Sequence, residues 1–145
     1  MAGEEGKRAR KGHFTIRLAG FLFLLSAVLE LASINSEAPL FGAMRGGSVG
    51  AAYHVVYFGI FAAMGLGLWR AEPWGPTAIF AGTAIYSADK LVYLLGDPTV
   101  GYGVLLDVLD AEMVRTAAAT ATLIALVCWW GFAGYVYARR EYFAD

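Results

Sequence analysis

Four long apolar stretches set the pattern of this chain, at residues 16–34, 49–69, 77–95 and 116–138. Runs such as LAGFLFLLSAVL show none of the polar alternation expected of a barrel strand, so the segments predict helices. At about 1.5 Å of rise per residue each reaches roughly 28–35 Å, the thickness of a hydrocarbon core. Lipid offers no partner to free backbone amides, which is a second reason to expect helices here. The expectation is an all-α, integral membrane four-helix bundle, threaded up-down-up-down. The remaining residues are too few for a soluble domain with its own core, so 1–145 reads as a single transmembrane domain.

Composition strengthens the membrane reading. Of the 145 residues, 59% are hydrophobic and 16% charged, against about 45–50% and about 25% in soluble domains. With 11 basic and 12 acidic residues the net charge is -1, which gives no basic field for nucleic acid and does not resemble a disordered chain. The lipid bilayer is the expected partner, with a homo-oligomer or a larger membrane complex open as further ones.

Basic residues orient the bundle. Lys7, Arg8, Arg10, Lys11 and Arg17 open the first span, Arg70 sits in the second connection, and Arg139 and Arg140 follow the fourth span. Eight of the 11 basic residues thus fall on one side, which predicts cytoplasmic termini and a cell-membrane location. KRARK before an apolar run also fits a secretory signal peptide, but the run continues past Glu30 and no clean A-x-A site closes it, favouring an uncleaved anchor.

The connections differ. WRAEPWGP, with Pro73 and Pro76, predicts a tight inner turn between spans two and three. The third connection carries GVLLDVLDAEMVR, which predicts a short outer amphipathic helix at 103–113 or an extension of the fourth span. Small residues mark packing seams: Gly59, Ala63 and Gly67; Ala78 and Gly82; Ala117, Ala121 and Ala125. The hydroxyls of Thr116, Thr120 and Thr122 are expected to return to their own helix backbone.

Candidate chemistry lies with the polar residues inside the spans. An ionisable group there costs about 2.5–3.5 kcal/mol on insertion scales, so each needs a partner, a water-filled cavity or an interface. Serpentine threading puts Glu30, His54 and Asp89 at one level, roughly 6–9 Å below the outer boundary. Helical spacing adds Tyr53 and Tyr57 beside His54, Tyr86, Lys90 and Tyr93 beside Asp89, and Glu112 and Arg115 at the outer start of span four. The expectation is an outward-opening polar pocket with Asp89 paired to Arg115 and Lys90 to Glu30. A purely structural network that fixes helix packing explains the same residues.

Specific chemistries find little footing. His54 with Glu30 and Asp89 is a conceivable metal set, but no local ligand motif supports it, so no metal is expected. His13 and His54 lie near opposite faces, which argues against bis-histidine haem, and no other cofactor is implied. Cys128 has no second cysteine to exchange with. The primary expectation is a non-enzymatic membrane protein whose outer pocket binds a small ligand or ion, or supports a complex. Acid-base catalysis on a lipophilic substrate and oligomeric proton-coupled or ion-coupled transport are the alternatives. The inner half is almost free of polar residues, which argues against a complete monomeric transporter.

Overall fold

The computed structural model describes residues 13–41 and 43–144. Its main elements are α1 (His13–Ala32), α2 (Gly47–Trp69), α3 (Gly75–Leu95) and α5 (Ala111–Ala138), with a short α4 (Gly103–Leu106) before the last. All four long helices are long and apolar enough to cross a membrane. The basic cluster at 7–11 lies outside the described residues.

Local chemistry explains several boundaries. Pro76 occupies the first turn of α3, where a missing amide proton removes no helical bond. At the start of α5, the Asp110 carboxylate accepts the amide protons of Glu112 and Met113 at 2.8 and 3.4 Å. This N-cap starts the helix five residues before the expected span at Thr116, so residues 111–113 belong to α5. The outer amphipathic helix expected at 103–113 is therefore reduced to the single turn of α4.

Two features escape hydropathy patterning. Strands β1 (Ala38–Leu40) and β2 (Ala43–Arg45) form an antiparallel hairpin in the first connection, with Ala38 opposite Arg45. After α5 a 3-10 turn at Arg140–Phe143 folds back and buries Phe143.

Contacts between the helices run in reverse order along each chain segment. Early α1 meets late α2, where a methyl group on Gly20 would lie 2.8 Å from the Trp69 amide nitrogen. Late α1 meets early α2 through Glu30 and His54. Late α2 meets early α3, where a methyl group on Gly67 would come within 2.8 Å of the Gly75 Cα. Phe80 and Ser87 of α3 face Tyr137 and Trp130 of α5. Early α1 also meets the end of the chain, with the His13 and Tyr142 rings 5.3 Å apart.

The packing seam follows the expected stripes in part, with Gly67 pressed on Gly75 and Gly82 on Met64. Gly65, outside those stripes, is pressed against Leu24, whereas Gly59 has open space where a Cβ would be. On α5 the buried small residues are Ala118 and Ala133, while Ala117 and Ala121 are exposed. Thr122 does return its hydroxyl to the Ala118 carbonyl, at 2.8 Å. Aromatic rings fill the centre: Phe23 meets Phe61 and Trp129, and Tyr86 stacks flat on Trp129 at 4.3 Å. Most large apolar side chains on the outer faces, among them Leu22, Leu29, Val56 and Val127, are exposed. Such a continuous apolar exterior suits lipid rather than water.

Candidate functional site

The polar residues of α1, α2 and α3 meet in two linked groups. Glu30 and His54 face each other across α1 and α2, with Glu30 Oε2 at 2.7 Å from His54 Nδ1. Between α2 and α3 the hydroxyls of Tyr53 and Tyr57 donate to Asp89 Oδ2 at 3.2 and 2.8 Å, and the Lys90 ammonium lies 3.0 Å from the same oxygen. Tyr53 joins the groups, because its ring stands edge-on to His54 and leans on Tyr57.

Three donors on one carboxylate oxygen is a strong arrangement in a low-dielectric setting, since charge-assisted hydrogen bonds offset much of the penalty of burying the ion. The middle of the layer is closed to solvent, while Glu30, Tyr53 and Asp89 are partly accessible. His54 retains 8% of its accessible surface and Tyr57 5%. His54 Nε2 is buried and has no hydrogen-bond partner among the described residues. If Nδ1 donates to Glu30, that nitrogen is left as a free acceptor.

The open space lies beside this network. A pocket of about 460 Å³ is lined by Pro39, Tyr86, Lys90, Tyr93, Tyr102 and Thr122, with small apolar residues between them. Of the expected pocket residues, Tyr86 and Lys90 line it. Glu30, Tyr53, His54, Tyr57 and Asp89 form the packed layer behind. Lys90 belongs to both, with its ammonium 5.3 Å from the centre of the Tyr86 ring and 5.8 Å from that of Tyr93. Those ring faces attract the cation without taking up its N–H donors in ordinary hydrogen bonds.

Glu112 and Arg115 stand apart. Glu112 is exposed on the first turn of α5, and Arg115 lies 3.8 Å from Asp97 in the third connection. The expected pairs Asp89 with Arg115 and Lys90 with Glu30 are replaced by Asp89 with Lys90 and Glu30 with His54. The physical reason is the start of α5 at Ala111: Arg115 then falls on its outermost turns, level with the loop rather than with Asp89. In that loop the Thr99 hydroxyl and amide donate to Asp97 Oδ1 at 2.7 and 3.0 Å. These bonds, the hydroxyl first, and the nearby Arg115 charge hold the Asp97 carboxyl below the usual aspartate range.

Sequence reasoning placed Tyr93 on the polar face of α3 with Asp89 and Lys90, but did not single out Tyr102 or Thr122 for the pocket. Those two were not legible, because their places depend on how the third connection folds back. Among the described residues no three His, Cys, Asp or Glu side chains gather as metal ligands. No protein-family model, curated protein or solved structure matches the chain.

Proposed function

We propose that this chain is a small, non-enzymatic, multi-pass protein of the cell membrane, threaded up-down-up-down, that binds a small ligand in a pocket open towards the outer leaflet. Lys90 carries the reading. An ammonium whose side chain keeps only 19% of its exposure, within an apolar helix, lines a cavity of about 460 Å³, a size common for ligand sites. A lysine needed only to neutralise Asp89 has no reason to border such a space.

Cytoplasmic termini accord with the grouping of the chain ends. The start of α1, the α2–α3 turn and the final 3-10 turn lie together through His13 with Tyr142 and Gly75 with Phe143. Arg70, Arg139 and Arg140 gather at this end, where positive charge marks the cytoplasmic side.

Thiol accessibility tests the pocket. In a Cys128→Ser background, Tyr93→Cys and Thr122→Cys are expected to react with a small membrane-impermeant reagent added outside intact cells, and Thr77→Cys is not. Unreactive cysteines at both pocket positions overturn the reading.

A second reading, acid-base chemistry on a lipophilic substrate, has one observation in its favour: the unpartnered, buried Nε2 of His54. His54→Gln can keep a hydrogen bond to Glu30 but cannot relay a proton. Retained ligand binding by this variant accords with the first reading. Lost turnover in a folded variant accords with the second.

A further inference from the structure

We infer that the pocket ligand is a single-chain amphiphile with an anionic head, its head at Lys90 and its chain in the apolar groove along the outer half of α5. The inference rests on the ligand-binding reading above and adds the chemical class of the ligand.

The head is selected by what the pocket offers. Lys90 carries three N–H donors, and Asp89 supplies its only carboxylate partner among the described residues. Asp89 is not dependent on Lys90 alone, because Tyr53 and Tyr57 donate to the same oxygen. Asp89 matches the charge of the ammonium but takes up only part of its hydrogen-bonding capacity, so N–H donors remain for an occupant. Of the hydroxyls on the wall, Thr122 donates to the Ala118 carbonyl and Tyr93 to that of Pro98, while Tyr86 and Tyr102 add two further phenols. Among the described residues no acidic side chain lines the pocket, so a bound carboxylate or phosphate meets the Lys90 donors directly, and the nearest like charge, Asp89, stands behind Lys90 with two phenols also on it.

The chain is selected by what adjoins the pocket. A second cavity of about 340 Å³ shares Tyr102 and Ala121 with the first and continues between the third connection and α5. Leu105, Leu109, Met113 and Ala117 line it, and it too has no acidic residue. One polar chamber leading into one apolar groove fits a head and a single hydrocarbon chain. The exposed Ala117 and Ala121 leave room for that chain against the helix.

The test uses the full-length protein in non-ionic detergent with dodecanoate, dodecyl phosphate and dodecanol, binding being read by native mass spectrometry. Both anions are expected to bind about tenfold or more tightly than the alcohol, as befits a charged hydrogen bond. Asp89→Asn/Lys90→Met removes both charges, leaves no unpaired ion, and is expected to abolish that preference. Ala121→Trp fills the groove and is expected to weaken both anions about tenfold while the charged pair stays intact. A preference for the carboxylate assigns a fatty acid, and one for the phosphate a lysophospholipid. Equal binding of dodecanol, or a preference that survives the double variant, overturns the inference. If Thr122→Cys is labelled and no amphiphile protects it, the ligand class fails while the pocket reading stands. If Thr122→Cys and Tyr93→Cys both fail to label, both fall.

Discussion

Asp89 is the residue on which the polar layer turns, because it gathers two phenols and an ammonium on one oxygen. The shorter bond, from Tyr57, joins a donor that is 5% exposed, so its loss leaves the carboxylate less well compensated in a dry setting. Tyr57→Phe is expected to destabilise the fold by about 1–2 kcal/mol, and Tyr53→Phe by less, as measured by reversible unfolding in mixed micelles. Thr83 presents the opposite case. Its hydroxyl, on α3, is buried without a partner among the described residues, so Thr83→Val exchanges an unsatisfied polar group for a methyl of similar shape. The same unfolding measurement is expected to show no loss, or a small gain, in stability. Glu30, His54 and Asp89 were legible as a common layer because the rise per residue fixes depth once the threading is known. Their partners were not legible, since a hydrogen bond depends on azimuth and rotamer, which spacing along one helix leaves open.

At the scale of elements, the connections departed most from expectation. Hydropathy patterning treats a loop as whatever lies between apolar runs, so the β1–β2 hairpin passed unnoticed, and the early start of α5 stood only as one of two readings of the third connection. The second had a local signal, Asp110 followed by Glu112, which caps a helix by accepting its first free amides. The third connection is pinned by Asp97, whose lowered carboxyl pKa follows first from the Thr99 hydroxyl and then from the Thr99 amide. A depressed folded-state pKa makes the turn's contribution present above the ordinary aspartate range and lost as pH falls through the folded value. Thr99→Val is expected to raise the Asp97 titration midpoint towards that ordinary range and to shrink the loss at low pH. Carboxyl-carbon NMR titration measures the first, and unfolding across acid pH the second.

For the whole molecule, topology and pocket stand or fall together. Both depend on α1 meeting α2, and α3 meeting α5, in reverse order. Reporter fusions after residue 145 and before residue 1 are both expected to report a cytoplasmic position. A C-terminal reporter on the outer side with an N-terminal one inside requires an odd number of crossings and removes the proposed arrangement. Sequence alone determined the medium and the number of long helices, because apolar run length must match the thickness of lipid and backbone amides must be satisfied within each span. It also put Glu30, His54 and Asp89 at a common level, since relative level along antiparallel helices follows from counting residues. Only the tertiary structure decided that His54 and Tyr57 are buried within this layer while Lys90 borders an open chamber. That outcome depends on close approach at Gly20, Gly65 and Gly67 and on the path of the third connection, which bring together side chains whose relative directions no single helix specifies.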